Sequence, residues 1–164
     1  IIDDPHRMRA LGSRPFDGEG LPTAKRALVE GGVLTGWLCD SASARQLGRT
    51  PTGHAGFGGG ITGSNLYMEP GVLSPAELMA DIVDGVYITE LIGMGVNPVT
   101  GDYSRGAAGF LIKNGVLAEP VNEITIAGNL RDMFAHVTAA NDLEFRQSTN
   151  APTVRIEGMT VAGG

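Results

Sequence analysis

Three polar residues at the start of one predicted strand could contact a substrate. Asp102, Ser104 and Arg105 lie within residues 85–109, directly after a predicted turn. An arginine among glycine and alanine could hold a carboxylate through its planar guanidinium, or pair with Asp102 or with Glu90. Asp102 could equally hydrogen-bond its own backbone in the turn. The small residues that follow fill a core poorly, so they indicate another role for this strand.

Metal ligands of the usual type and spacing are scarce. The three histidines, His6, His54 and His136, are not paired at helical spacing, and the sequence has no His-Glu-x-x-His motif. Asp3, Asp4 and His6 could converge on a cation, although Asp-Asp-Pro is also an ordinary entry to a turn. His136 lies within a predicted helix and is expected to be structural. The sequence therefore argues against a metal site formed by this chain alone.

The single cysteine, Cys39, excludes an internal disulfide and a cysteine-rich zinc site. It could act as a nucleophile only with a histidine partner in an activating environment. At the end of an apolar strand, a lone cysteine is more often a small buried hydrophobic residue. We expect that role for Cys39, and a single cysteine also fits a reducing compartment.

A glycine-rich stretch over residues 56–64 resembles a phosphate-binding loop only superficially. The Walker motif requires Gly-Lys-Ser/Thr at the start of a helix, and the dinucleotide motif must also open a helix. Here the stretch leads into a predicted strand. We expect a loop near a site, or one that a partner orders.

Length and composition indicate a folded globular chain. Its 164 residues suit one domain, 42% of them are hydrophobic, and 18% are charged. A net charge of −6 with scattered cations argues against nucleic-acid binding. No apolar run reaches the ~20 residues of a membrane span, and no signal peptide is visible. Because the chain begins at Ile1, we expect residues 1–164 to be the C-terminal domain of a longer two-domain chain.

Short β-strands dominate the predicted secondary structure. Gly31-Gly32 and Asn114-Gly115 supply the positive φ angles of type I′ turns, which predicts β-hairpins over residues 27–34 and 110–117. Further strands are predicted at residues 65–69, 85–91, 121–127, 143–146 and 152–156. Their regular spacing indicates a sheet that curls or closes. The sequence predicts a β-rich α+β fold, with a curled or barrel-like, mostly antiparallel sheet and two or three covering helices.

Three helices are predicted between these strands. Ser41 should cap a short helix that ends at Gly48. Ser74 and Glu77 have the spacing of a capping box, with Pro75 at the first helical position, and they should begin a helix that Gly85 ends. A third helix should begin at Asn129. The expected apolar stripes are Leu78, Met79, Ile82 and Val83 on the second helix, and Leu130, Met133, Phe134 and Val137 on the third.

Four motifs in one order resemble a known family. Residues 65–71, 95–106, 126–130 and 152–163 closely resemble the C-terminal domain of the TldD/PmbA family. The segment Gly-Asp-Tyr-Ser-Arg-Gly at residues 101–106 is similar to the PmbA (TldE) branch in particular. The likeness extends from Asp3 to the last residues.

This resemblance implies a cytoplasmic peptidase system in which a TldD-type subunit works with a TldE-type subunit. The TldD branch carries a His-Glu-x-x-x-His zinc motif and a late cysteine ligand. Where that cysteine would be expected, this sequence has Gln147-Ser148-Thr149, and Cys39 cannot be matched to it. The resemblance therefore implies no catalytic residue, metal ligand or cofactor in this chain, with zinc in a TldD-type partner.

The leading hypothesis is a non-catalytic PmbA/TldE-like subunit that forms a dimer with a TldD-type subunit or with itself. Unfolded peptide could add as a strand to an exposed sheet edge. The candidate contacts to substrate or partner are Asn65, Tyr67, Asp102, Ser104 and Arg105. One alternative is an independent metal-dependent hydrolase whose catalytic motif lies upstream. Another is a purely structural, self-associating domain.

Overall fold

The computed structural model describes residues 1–163, and the chain divides into two compact units. Unit 1 comprises Ile1–Glu69 and Leu143–Pro152, and unit 2 comprises Pro70–Asp142 and the segment from Thr153 onward. The length led us to expect a single domain. The division into two compact units does not test that expectation, which stays a prediction. The strands and helices in the described residues are β1 Ile2–Asp3, β2 Arg26–Ala27, β3 Val29–Glu30, β4 Val33–Leu34, α1 Ser41–Gln46, β5 Leu66–Tyr67, α2 Pro75–Met79, β6 Asp84–Ile92, β7 Asp102–Lys113, β8 Val116–Asn129, α3 Leu130–Ala135, β9 Val137–Ala139, β10 Thr149–Asn150, β11 Val154–Ile156 and β12 Thr160–Ala162.

The predicted fold class is confirmed. The structure is β-rich, its strand pairs are antiparallel except for β10 with β5, and its three helices are short. Unit 1 holds a four-stranded sheet in the order β10-β5-β1-β2 and the β3–β4 hairpin, and unit 2 holds a four-stranded sheet in the order β12-β8-β7-β6 and the β9–β11 pair. Within residues 1–163 these sheets are separate and open, so none of them closes into a barrel.

Both predicted hairpins are confirmed, and the turn residues explain them. Gly31 and Gly32 have φ angles of 55° and 80°, and Asn114 and Gly115 have 48° and 82°. A type I′ turn needs positive φ at both central residues, which glycine and asparagine tolerate best. The second hairpin joins the two longest strands, β7 and β8, and so anchors the main sheet of unit 2.

The N-cap of α1 is Asp40, so the prediction that Ser41 caps this helix is wrong. Asp40 has extended backbone angles, and its carboxylate accepts a hydrogen bond from the Ser43 backbone N–H. Ser41 is the first helical residue, and its hydroxyl donates to Glu19. The helix ends at Gln46, just before Gly48, which has a φ of 62°.

The second helix begins as predicted but ends early. Ser74 and Glu77 form the capping box, yet α2 ends at Met79 instead of continuing to Gly85. The carbonyls of Ile82 and Val83 accept hydrogen bonds from the Gly115 and Asn114 N–H groups. After Met79 the backbone turns tightly, with the Ile82 N–H donating to the Met79 carbonyl, and the two bonds from the β7–β8 turn hold this segment against the sheet.

Two other predicted elements differ from the structure. Residues 143–146 form a loop, because the Asn150 side chain accepts from the Arg146 and Gln147 N–H groups and holds the backbone in a turn. The strand lies later, at β10. Asn129 caps α3 as predicted, but this helix ends at Ala135, so His136 is its C-cap and Val137 belongs to β9.

Small residues in β7 serve the packing of unit 2. Ala107 is buried at the centre of a cluster with Ile124 and Ile126. At Gly109, an added Cβ would lie 1.9 Å from the Tyr87 carbonyl oxygen of β6. The expectation that something other than core filling selects these small residues is therefore wrong at Ala107, whereas Gly109 is required by the close approach of the β6 backbone.

Candidate functional site

The polar residues of β7 lie on opposite faces of the unit 2 sheet. Successive side chains of a strand alternate in direction, so Asp102 and Ser104 share one face. Arg105 points to the other face, where it is paired in register with the buried Ile126. The structure therefore brings Asp102 and Ser104 together on an exposed surface and separates them from Arg105.

Arg105 makes a backbone contact in place of the two ion pairs considered from the sequence. Its Nη2 donates to the Leu91 carbonyl oxygen at 3.2 Å, and Leu91 belongs to the edge strand β6. Within residues 1–163, its buried Nε has no hydrogen-bond partner. Glu90 lies on the opposite face, and Asp102 accepts from the Thr100 hydroxyl at 2.7 Å. Part of the guanidinium thus stays free for another group.

Asn65 and Tyr67 belong to unit 1 and are buried there. The Asn65 side-chain Oδ1 accepts from the Gly12 N–H at 2.8 Å, and its Nδ2 donates to the Asp4 carbonyl oxygen at 2.7 Å. The Tyr67 ring packs edge-on against Phe145. Both residues hold neighbouring segments of unit 1 in place, and their predicted role as contacts stays a prediction.

The sequence analysis missed a buried polar network around Asp3 in unit 1. Asp3 and His54 have no exposed surface, and the His54 Nε2 lies 2.9 Å from an Asp3 carboxylate oxygen. Ser64 donates to the same carboxylate through its N–H at 2.7 Å and its hydroxyl at 2.6 Å. No local spacing could reveal this network, because Asp3 lies more than fifty residues from both His54 and Ser64 in sequence.

Hydrogen bonds keep the Asp3 carboxylate ionised inside unit 1. Burial alone would raise the pKa of Asp3, but the donors from His54 and Ser64 outweigh it and lower the pKa below its ordinary value. The other His54 nitrogen, Nδ1, lies 3.0 Å from the Thr52 hydroxyl. That hydroxyl accepts from the Cys39 N–H at 2.7 Å, which places the buried Cys39 beside the network.

The order of these groups is wrong for nucleophilic catalysis. In a catalytic triad, histidine lies between the nucleophile and the acid and accepts the nucleophile's proton. Here the Asp3 carboxylate lies between Ser64 and His54, and the Ser64 hydroxyl donates to it. The Ser64 side chain is also buried. The network therefore joins β1 to the segment over residues 52–64 and has a structural role.

A second buried carboxylate, Asp17, organises two loops of unit 1. It accepts hydrogen bonds from the N–H groups of Glu19, Leu21 and Ala55 at 2.9, 2.9 and 3.0 Å. Burial opposes its ionisation, but these donors together lower the pKa of Asp17. The glycine-rich stretch predicted as a loop begins at Gly56, directly after this contact, and its turn is closed by a hydrogen bond from the Gly56 N–H to the Gly60 carbonyl.

Lowered carboxylate pKa values predict a loss of stability in acid. A group whose pKa is lower in the folded state contributes its full stabilisation above its unfolded pKa of about 3.9, and loses it as the pH falls towards the folded value. We therefore expect the free energy of unfolding to fall as the pH is lowered from about 5 to about 3. Urea titrations at several pH values measure this slope. Asp17→Asn should be less stable near neutral pH and show a shallower slope, and an unchanged slope would contradict the assignment.

The described residues do not fit a zinc site. Among them, no group of three or more His, Cys, Asp or Glu side chains is placed to hold a metal. The His54 nitrogens face Asp3 and Thr52, and the His136 Nδ1 donates to a carbonyl of its own helix at 2.8 Å. The His6 Nε2 lies 3.0 Å from the Thr23 hydroxyl. Asp3, Asp4 and His6, considered from the sequence as a possible cation site, do not converge, because Asp3 faces His54 and Ser64.

The family model described as PmbA/TldA metallopeptidase C-terminal domain matches residues 1–163. The chain belongs to the PmbA/TldD family. The Escherichia coli O157:H7 protein named Metalloprotease PmbA is 45% identical over 166 residues, covering 99% of this chain and 35% of that protein. The Haemophilus influenzae protein named Metalloprotease PmbA homolog is 42% identical, covering 99% of this chain and 36% of that protein. The chain thus spans about a third of the length of these curated relatives.

Solved structures agree with this membership. A Thermotoga maritima protein described as a modulator of DNA gyrase superposes with a TM-score of 0.89 at 40% identity, over 98% of this chain and 38% of that one. TldE from Thermococcus kodakarensis superposes with a TM-score of 0.86 at 26% identity, over 99% of this chain and 39% of that one. The resemblance inferred from the four motifs is confirmed. Across residues 1–163, none of the helices is both long and apolar enough to span a membrane.

Proposed function

We propose that this PmbA/TldD-family domain belongs to a PmbA/TldE-like subunit of a TldD/TldE-type metallopeptidase system that processes or degrades peptides in the cytoplasm. The observation that carries the proposal is the match over nearly the whole chain to a protein named Metalloprotease PmbA. The likeness to TldE supports the same branch. In this proposal a TldD-type subunit, or a second copy, completes a dimer, and the TldD-type partner holds the zinc.

The proposed contacts to peptide or partner are Asn65, Tyr67, Asp102, Ser104 and Arg105. Arg105 is the first to test, since its Nη2 binds a backbone carbonyl and its remaining donors could hold a peptide carbonyl or carboxylate. Asp102 and Ser104 offer exposed polar groups on the other face. Asn65 and Tyr67 would act by holding the segments that carry other contacts.

The experiment uses the full-length protein that contains this chain, purified alone and together with a TldD-type subunit. We expect the two proteins to co-purify, and we expect zinc and peptidase activity to appear only when the TldD-type subunit is present. Elemental analysis and cleavage of an unfolded protein measure these properties. Stoichiometric zinc with peptidase activity in the single protein would contradict the proposal and favour an independent hydrolase.

Within such a complex, Arg105→Ala should lower peptidase activity about tenfold or more. The loss of charge-assisted hydrogen bonds costs about 1.5–3 kcal/mol, and 1.36 kcal/mol corresponds to a factor of ten in rate. Arg131→Ala, which removes an exposed arginine of α3, is the matched control and should leave turnover unchanged. Equal activities of the two variants would remove Arg105 from the proposed contacts.

A further inference from the structure

The turn between β7 and β8 contains a chemically labile peptide bond, the one that joins Asn114 to Gly115. In an Asn-Gly pair, the glycine nitrogen can attack the side-chain carbonyl carbon of asparagine, because glycine has no side chain to hinder the approach. The other six asparagines of the sequence precede leucine, proline, glutamate, aspartate or alanine, and each of these residues slows or prevents the attack. Asn114 is also exposed, so water can reach its side chain.

Hydrogen bonds hold this pair in a conformation that opposes the reaction. Asn114 and Gly115 have φ angles of 48° and 82°, as a type I′ turn requires. The Asn114 N–H donates to the Val83 carbonyl at 2.9 Å, and the Gly115 N–H donates to the Ile82 carbonyl at 2.8 Å. The attacking Gly115 nitrogen must lose its proton and turn towards the Asn114 side chain. Both steps break its hydrogen bond to Ile82.

Close packing also prevents the turn from rearranging in place. An added Cβ at Gly115 would lie 2.6 Å from the Ala80 carbonyl oxygen and 3.1 Å from the Ala80 Cα. The Gly115 backbone therefore lies directly against the segment that follows α2. Ring closure requires the turn to separate from residues 80–83, and local openings of this kind cost less free energy than global unfolding.

We infer that Asn114 is a deamidation site that the contact with residues 80–83 keeps closed and that reacts when the β7–β8 turn opens. A bond forms between the Gly115 nitrogen and the Asn114 side-chain carbon, and the bond from that carbon to Nδ2 breaks. The amide group leaves as ammonia together with the Gly115 proton. Water then opens the succinimide ring at one of its two carbonyls, which yields aspartate or isoaspartate.

The two products should affect the hairpin differently. Aspartate keeps the length of the backbone and tolerates the positive φ of this turn, so the pairing of β7 with β8 should persist. Isoaspartate carries the backbone through the former side chain and lengthens it. A two-residue turn fixes the register of the strands it joins, here with Lys113 opposite Val116. A turn that opens and forms isoaspartate therefore cannot close again in the same register.

Peptide mass spectrometry of the full-length protein measures the conversion of each asparagine to the acid. Samples are kept at one pH and temperature, either in native buffer or in guanidinium chloride. We expect Asn114 to convert at least about tenfold more slowly in native buffer, because only the open fraction of the turn reacts. Asn122, which lies in β8 before Glu123, is the internal control and should convert more slowly than Asn114 in denaturant.

Two neighbouring variants test the contact itself. The Ile82 side chain is half-buried beside Gly85, whereas Val83 is 67% exposed. Ile82→Ala should loosen residues 80–83 and speed the conversion of Asn114 in native buffer about fivefold or more, and Val83→Ala should change it by less than about twofold. In denaturant, both variants should convert at the wild-type rate, which separates a change in opening from a change in chemistry.

Three results would overturn the inference. Equal conversion of Asn114 in native buffer and in denaturant would show that the contact does not protect it. Conversion no faster than that of Asn122 in denaturant would remove Asn114 as a preferred site. Ile124→Ala removes a buried side chain from the main sheet; if it sped native conversion as much as Ile82→Ala, the site would react only from the globally unfolded chain. None of these measurements depends on zinc or peptidase activity, so the proposed function can fail separately.

Discussion

Asp3→Ala should lower the free energy of unfolding by about 3–5 kcal/mol, because each buried donor that is left without an acceptor costs about 1–3 kcal/mol. The substitution leaves the His54 Nε2, the Ser64 N–H and the Ser64 hydroxyl without the acceptor they share. These groups are buried, so water cannot replace the carboxylate without opening unit 1. Urea denaturation followed by circular dichroism measures the change.

Two further variants test whether the loss of stability comes from the network around Asp3 or from any change in the N-terminal segment. Asp4→Ala removes the neighbouring carboxylate, whose cation partner Lys25 is 3.8 Å away and largely exposed, and should cost about 1 kcal/mol or less. Asp3→Asn keeps the shape and one acceptor, so its cost should lie between the other two. If Asp3→Ala were no more destabilising than Asp4→Ala, the network around Asp3 would not contribute to stability as we describe.

Gly109→Ala should destabilise unit 2 by roughly 3 kcal/mol, at the upper end of the cost of overpacking a core. The new Cβ would lie 1.9 Å from the Tyr87 carbonyl oxygen and 3.0 Å from the Ile88 Cα. Both are backbone atoms of β6, so the strand itself would have to move.

Gly128→Ala is the matched control in the adjacent strand β8. There the added Cβ would meet the Met133 side chain at 3.5 Å, which is an ordinary contact. Alanine also loses less backbone entropy than glycine on folding, so stability should stay within about 0.5 kcal/mol or rise. Chemical denaturation of the two variants side by side measures the difference. Equal stability would mean that β6 and β7 can separate at little cost.

Features with a local cause could be predicted from the sequence. The Asn114-Gly115 turn, the Ser74 capping box and the Asn129 cap each depend on residues within a few positions, and all three are present. The four family motifs likewise identified the family from short segments. By contrast, the carbonyls of Ile82 and Val83, which follow α2, are bound by a turn more than thirty residues later, and no local signal shows this contact.

The candidate site residues show the same difference between what local sequence indicates and what the tertiary structure decides. Asp102, Ser104 and Arg105 could be chosen from residue type and spacing, but the pleat of β7 separates the first two from the third. Asn65 could be noticed as a polar residue, but its burial follows from contacts with Gly12 and Asp4.

The sequence by itself determined the two hairpin turns, the caps of α2 and α3, the β-rich class and the family, because neighbouring residues and short motifs carry that information. Only the tertiary structure decided that Asp3 meets His54 and Ser64, that Gly109 must be small, and that Arg105 lies on the opposite face from Asp102 and Ser104. Each of these depends on segments far apart in the chain. Their approach is set by sheet pairing and burial, which no pattern within one segment records.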